Sequence, residues 1–469
     1  MQFQSITCYC FAWPPDLLHP LIEYGDISVY LISSLTRVQE CFLKSNSAGV
    51  QLIRLKMFVY VGLAVLTVAV IRFYQKTYPP PTFGIYRKPG RWYCLKVSFI
   101  FMMLKTRKVL GRWRQKTQSR HSSESGYGFK SRVSPEEMEK RQELSNHPKA
   151  IDAVYFNAAS HDGYHLVVGT AHRPKGVVNG FLYLKLPDTL TFCKEDEDQK
   201  TYGAEGIKLT SVKPMECWKL EYNGKMKLHN EPGKMFDVEL ELEFTSSLPY
   251  FDFDTDMDEL SVAIGMAKEP WSREYFQALR SFHQTHYEQH GTLKGQVKVN
   301  DKTYSLELDG ARDHSYGHKR EWSDFHRYAL HFITLENGAR MNIGVVCVPH
   351  VFSRMEIGYM YKPDGTLHAL ESCDLKLEIH GEGGTPPLDY SFFFQAGGEK
   401  YHVQVDVTDS PEFFVGWDWE ARVVERLARF KVNGVEGWGA AEWEYRHLGG
   451  RPSHVATGDP SWTRDLVKG

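Results

Sequence analysis

The chain has 469 residues, 42% of them apolar and 24% charged, with a net charge of −2. That length allows two or three domains, and the composition is that of a globular protein, not of a disordered or collagen-like one. The charge is unevenly placed: no Asp or Glu lies between Glu40 and Glu124 while Lys and Arg recur there, so a basic arm precedes an acidic body, which excludes a general nucleic-acid binder with its basic surface on the folded domain.

The leader 1–56 shows no sustained hydrophobic period and receives no function. Met57–Tyr74 is the one long apolar run; its uncharged core of about 15 residues reaches about 18 if Arg72 snorkels to the interface, enough for a single transmembrane anchor. Arg72, Lys76 and Pro79-Pro80-Pro81 follow it in place of a small-residue cleavage site, unlike a signal peptide. Arg and Lys are denser after the run than before it, so the positive-inside rule expects a single-pass protein with a cytosolic C-terminal body; the organelle stays open. Residues 75–133 read as a basic juxtamembrane segment and linker facing anionic lipid. Within them Val97–Leu104 is apolar but too short to span, either an interfacial segment or part of a solvated linker.

From Ser134 the body begins, with a capping box in Ser134-Pro135-Glu136-Glu137 and a short helix expected to end near His147-Pro148. The hydrophobic period then becomes two. Strands are expected at 153–157 and 164–170 around a His161-Asp162-Gly163 turn, then at 180–186, 207–212, 217–222 and 236–244, with a tight turn at Asn223-Gly224. The acids of 251–259 lack the Gly and Glu of a calcium loop and read as an acidic surface loop; a helix follows at 271–284. More strands are expected at 293–299, 304–308, 327–334, 340–347, 354–360, 375–380, 390–394, 402–407, 430–432 and 439–445. Together they predict a mainly β body of two consecutive lipocalin-like antiparallel barrels or sandwiches, 134–290 (with its linking helix) and 291–450, and a tail 451–469.

Two dense segments carry candidate chemistry. Asp309–Trp322, read as a loop after a strand, holds Arg312, Asp313, His314, Ser315, Tyr316 and Trp322 around Gly310 and Gly317. His314 titrates near neutral pH and can act as acid or base beside Asp313, while Tyr316 and Trp322 offer π faces to a cation. Alternatively, Arg312 and Asp313 tie a strand end to a neighbouring loop, with the glycines allowing the turn. In the second segment, Gly434–Arg446, strand alternation puts Glu442, Glu444 and Arg446 opposite Trp443 and Tyr445, and Glu442 is a candidate partner for Arg312.

The line Gly291–Gly295, Leu308–Gly317 and Arg320–Trp322, with Gly437-Trp-Gly-Ala-Ala-Glu442 as a late Gly-x-Gly-x-x-Glu stretch, resembles the AttH/carotenoid hydratase-like superfamily over about residues 150–447. The resemblance is to a branch with an Arg-Asp-His-Ser-Trp-Gly signature, here with Tyr316 in place of Trp. It implies two lipocalin-like domains and relatives that hydrate polyene lipids, catalyse pericyclic steps or handle sphingolipids. It implies acid catalysis through His314 and Tyr316, while the family's downstream Tyr-x-Asp pair is matched only by Asp324 within Trp322-Ser323-Asp324.

The resulting expectation is a membrane-anchored body that binds a lipid or isoprenoid-like molecule. His314, Tyr316 and Asp313 are the catalytic candidates for a lyase or isomerase step; Arg312, Ser315, Trp322, Asp324, Glu442 and Arg446 bind ligand or support the frame. No cofactor, metal or nucleic acid is expected, since no phosphate loop, HExxH or CxxC pattern occurs. A non-enzymatic lipid carrier or a protein-interaction scaffold is the alternative.

Overall fold

The computed structural model describes residues 59–65, 67–68, 78–117, 134–186, 191–196, 206–228, 231–416 and 418–450. The leader 1–56, the tail 451–469 and half of the expected anchor 57–74 lie outside them. The chain forms two compact units, 1–76 and 77–469. In the first, 59–65 and 67–68 are helical. Among the described residues no helix is long and apolar enough to cross a membrane.

The second unit is mainly β. Its first sheet contains β1 (Ile151–Ala159), β2 (His165–His172), β3 (Val178–Lys185), β4 (Thr191–Asp196), β5 (Ile207–Lys213), β6 (Cys217–Leu228), β7 (Glu231–Thr245), β8 (Phe251–Asp252), β9 (Gln284–Val299) and β10 (Lys302–Gly317). The order β10-β1-β2-β3-β4-β6-β7-β9 closes through β9–β10, with β5 and β8 as side additions. The second sheet contains β11 (Arg327–Leu335), β12 (Arg340–Val348), β13 (Phe352–Tyr361), β14 (Leu367–Cys373), β15 (Asp389–Ala396), β16 (Glu399–Val407), β17 (Glu412–Val415), β18 (Ala421–Val432) and β19 (Val435–Arg446). It runs β11-β12-β13-β14-β15-β16-β18-β19 and closes through β19–β11, with β17 outside. Two lipocalin-like antiparallel barrels therefore follow one another.

An eight-stranded ring is just wide enough for side chains to fill. Phe156, Trp218, Phe244, Leu240 and Leu308 fill the first interior, and Ile343, Phe392, Phe430 and Trp443 the second. The aromatic pairs Phe156–Trp218 and Phe156–Phe244, with centroids 5.8 and 5.5 Å apart, are part of that filling. Each barrel interior is thus core.

Four helices accompany the barrels: α1 (Tyr93–Thr117), α2 (Pro135–Met138), α3 (Glu259–Lys268) and α4 (Arg273–Phe282). Ser134, Asp258 and Ser272 cap α2, α3 and α4 by accepting backbone N–H bonds. Ile100 and Leu104 of α1 join Val262 and Met266 of α3, Leu279 of α4, and Val348 and Phe352 in one apolar cluster. Val97–Leu104 is thus neither a surface-lying segment by itself nor a solvated linker: it is part of a helix with one side packed on the body.

Several local expectations change. Asn223-Gly224 makes no turn but continues β6, paired with Glu239 and Val238 of β7. Residues 375–380 form no strand, and α3 occupies 259–268, for which no element was expected. The 251–259 segment is not a surface loop: Asp252 and Asp254 are buried, and His283 Nε2 lies 2.7 Å from Asp254 Oδ1. The expected helix ending near His147 is only the single turn of α2. Sheet membership carries β9 and β10 into the first barrel, past the expected boundary at 290.

Candidate functional site

The dense run 309–317 is not a loop. It is the second half of β10, hydrogen-bonded along its whole length to β9 and over 309–317 to β1. Gly310 permits no turn there. A Cβ on it would lie 2.0 Å from Asn157 O, so glycine is needed for the close approach of the two strands. The two-residue strand period then sends neighbouring side chains of the motif in opposite directions.

Arg312 and His314 point into the first barrel. Arg312 Nη1 is 2.9 Å from Glu139 Oε1, both side chains fully buried, so Glu442 is not its partner. Trp218 Nε1 and Tyr287 Oη also donate to Glu139, at 2.6 and 2.8 Å. Burial opposes ionisation of Glu139, but the Arg312 guanidinium, Tyr287 and Trp218 outweigh it and hold its carboxyl below the ordinary range. Arg312 further donates to Gln289 Oε1, at 3.0 Å from Nη2. His314 Nε2 meets Asp152 Oδ1 at 2.6 Å and its Nδ1 meets Tyr287 Oη at 2.8 Å, with His314 and Asp152 both at 0% exposure. The Tyr316 ring stands 5.2 Å from that of His314, and burial pushes its hydroxyl up to about 12.

Asp313 and Ser315 point the other way, into a polar seam between the two barrels. Ser315 Oγ is 2.6 Å from His286 Nδ1 and donates to Asp313 Oδ1 at 3.2 Å. His286 Nε2 is 3.0 Å from Glu288 Oε1, whose second oxygen accepts from Asn342 Nδ2 of the second barrel at 2.7 Å. Burial alone would lower the His286 pKa, yet the Glu288 and Asp313 carboxyls raise it above its ordinary value. Asp313 is itself raised, by burial first.

The centre of the seam is a pair of carboxyls that face each other across β18 and β19, Glu425 and Glu442. Tyr155 Oη donates to Glu442 Oε2 at 2.9 Å, and Tyr328 Oη to Glu442 Oε1 at 2.5 Å. Asn157 Nδ2 donates to Glu425, and its own carbonyl faces His165 Nε2 at 3.0 Å. Burial pushes the His165 pKa down to about 3, so the neutral ring donates to Asn157 and fixes its amide. Both acids are held protonated far more readily than free carboxyls. Burial raises Glu442 to about 7 against the opposing tyrosine bonds, and burial plus the neighbouring Glu442 raise Glu425 well above its usual value. Tyr155 and Tyr328, raised well above their own range by burial, are neutral donors. Glu444 stands next along the strand, raised by burial, with no hydrogen-bond partner on either oxygen.

Of the residues singled out in the sequence, the seam collects Asp313, Ser315 and Glu442. Arg312, His314 and Tyr316 belong to the barrel-side network. Trp322 and Asp324 lie in a 3-10 turn, Asp324 3.5 Å from Lys319, and Arg446 is exposed at the end of β19. The sequence reading missed Tyr155, Asn157, Glu288, Tyr328 and Glu425, and took His286 for a hydrogen-bonded structural histidine; both its ring nitrogens are engaged. One signal was available for Glu425: it and Arg426 are charges set between Val423-Val424 and Leu427-Ala428.

A model for a family of unknown function (DUF8627) matches residues 59–445. No curated protein matches the chain. Among solved structures it is similar to an AttH protein from Nitrosomonas europaea, at 9% identity over 66% of this chain and 98% of that one, with a TM-score of 0.46. It is also similar to kievitone hydratase from Nectria haematococca (11%, 64%, 90%, 0.41) and to CghA solved with Sch210972 (10%, 64%, 89%, 0.40).

Two outcomes are expected. Replacing Arg312 by Met leaves Glu139 as an unpaired buried carboxylate, which costs about 3 to 5 kcal/mol in urea unfolding, whereas the double change with Glu139→Leu recovers most of that. For Glu442, the folded pKa lies above the unfolded one, so its stabilising contribution is complete below the unfolded value and is lost as pH rises toward about 7. A Glu442→Gln variant should therefore match the wild type near pH 4 and exceed it by about 1 to 3 kcal/mol at pH 8; parallel stability curves across that range would refute the raised carboxyl.

Proposed function

This chain belongs to DUF8627, a family of unknown function, and on that premise we propose that the seam between its barrels binds an unsaturated lipophilic molecule and protonates it. The observation that carries the proposal is the Glu425–Glu442 pair, buried, with Tyr155 within reach of both acids and Tyr328 on Glu442, and raised in Glu442 to about 7. Two carboxyls buried together, one poised near neutrality, are an arrangement suited to moving a proton between acid and base roles.

Glu442 gives its proton to an alkene carbon: its O–H bond breaks, a C–H bond forms, and the neighbouring carbon becomes cationic. Water adds to that cation and its proton passes to the Glu442 carboxylate left by the first step, or the cation gives that carboxylate a different proton and the double bond has moved. Glu425, raised well above its usual value, stays protonated beside it throughout. The rings of Tyr155 and Tyr328 lie beside the pair, where their faces favour a cation. The barrel interiors are filled with core side chains, which leaves the seam as the place for ligand. The seam is closed, with Glu425 at 1% and Glu442 at 7% exposure, so binding requires the barrels to part. Arg340–Asp309 at 2.7 Å and Lys185–Asp409 at 2.5 Å are ion pairs that join the barrels around it.

We assign the donor to Glu442 and not to His314, because both ring nitrogens of His314 are occupied inside the first barrel. We further propose that 57–74 anchors the protein by a single pass with its body in the cytosol, as the distribution of Lys and Arg supports.

Incubating the purified protein in D2O with a panel of linear isoprenoids tests the chemistry. The expected product carries one new C–D bond by mass spectrometry, and Glu442→Gln lowers its rate by about 100-fold or more while the protein stays folded. Bound lipophile recovered unchanged from wild type and variant alike would indicate a carrier. For the anchor, a C-terminal tag should be cut by protease in intact microsomes, and protection would reverse the orientation.

A further inference from the structure

Helix α1 is apolar on two opposite sides. One side is used: Ile100 and Leu104 are buried against α3 and the second barrel, and Lys96 Nζ, itself buried, donates to Glu269 O at 2.6 Å. Lys105 and Lys108 reach the same Glu259 of α3, at 3.0 and 2.8 Å. The helix is therefore fixed in rotation, and its other side is presented outward.

That outward side carries Leu95, Phe99, Met102, Val109 and Leu110, each between 50% and 61% exposed. Their spacing of four, three and seven puts them on one stripe down the helix, with Thr106 between, its hydroxyl turned back onto Met102 O at 2.7 Å. A stripe of this length is not the scattered exposure of single apolar residues that ordinary surfaces tolerate. Phe83, 64% exposed with a φ of 54°, stands at the tip of the Thr82–Tyr86 turn in the same part of the chain.

The charge around the stripe distinguishes what can cover it. No acidic residue occurs from 41 to 123, and Arg87, Lys88, Arg91 and Arg107 accompany the helix, which continues through Arg112, Arg114 and Lys116. A second copy would bring like charge against like charge. A bilayer containing anionic lipid offers apolar depth for the stripe and negative headgroups for its flanks.

We propose that α1 lies along an anionic membrane surface, with Leu95, Phe99, Met102, Val109 and Leu110 immersed and its basic residues at the headgroups. The contact holds the body, and with it the seam, close to the bilayer. It does not depend on whether 57–74 spans that bilayer, although it gives the lipophilic substrate of the seam a short route from the membrane.

Full-length protein in vesicles of phosphatidylcholine with about 30% phosphatidylserine and a diazirine-bearing phospholipid tests this directly. Photolysis should give lipid adducts within 95–110, reduced about tenfold in vesicles lacking phosphatidylserine. The double variant Leu95→Glu/Met102→Glu, at positions 59% and 61% exposed where folding is spared, should lose them. Adducts in 57–74 without any in 95–110 would overturn the docking and leave the anchor standing. Adducts in 95–110 alone would support docking and remove the anchor. Equal labelling without phosphatidylserine, or chemical cross-links that join the stripes of two copies or join the stripe to 57–74, would also overturn it. Loss of the deuterium-labelled product with the lipid adducts intact would count against the chemistry at the seam and not against the docking.

Discussion

The two-residue period of β10 is the constraint on which the molecule turns. Pairing with β9 and β1 closes the first barrel, and the same alternation gives one strand two separate tasks. Its even positions, Arg312 and His314, complete the buried network of Glu139, Trp218, Tyr287 and Asp152. Its odd positions, Asp313 and Ser315, supply polar groups to the second barrel. A slip of one residue in register would exchange the two sets, placing a guanidinium in the acid-rich seam and a carboxyl beside Glu139. The motif is dense because two environments are read off one strand.

That division explains what the sequence discloses. The alternation of Asp237–Phe244 and the His161-Asp162-Gly163 turn are local signals, and both appear in the structure as β7 and the β1–β2 hairpin. Asn223-Gly224 carries an equally strong local signal and is overridden, because pairing with β7 rewards continuing the strand more than turning it. The seam is illegible for a different reason. Tyr155, Asn157, His286, Tyr328 and Glu425 come from four strands, β1, β9, β11 and β18, and only the packing of one barrel on the other brings them together. Glu442 was noticed, but its partner could not be chosen from spacing alone. Arg312 is the obvious cation for it, yet Glu139, the residue that ends the single-turn helix α2, holds Arg312 instead.

The two networks differ in how their charges are balanced. Inside the first barrel each carboxyl has a cation or several donors, so Glu139 stays below its ordinary range despite complete burial. In the seam Asp313, Glu425, Glu442 and Glu444 are all raised, and Glu444 has no hydrogen-bond partner among the described residues. Gathering acids in a surround of low dielectric opposes folding at neutral pH. Stability given up in the seam, while Glu139 and Asp152 of the first barrel are well satisfied, is the pattern expected of a site shaped for work other than holding the fold together.

The ladder between β1 and β10 has a consequence for how the chain comes to exist. Ile151 pairs with Gly317 and Ala159 with Asp309, so the first barrel cannot close until nearly its last residue has left the ribosome. Pairings so distant in sequence form slowly, since the intervening chain must be ordered before they are rewarded. During that interval β1 has an open edge, and Tyr155 and Asn157 have no acids to meet, because β18 and β19 are still unmade. The nascent chain thus carries an unpaired strand edge, of the kind that invites aggregation, from the making of β1 until that of β10. The helper it needs most is one that shields β1.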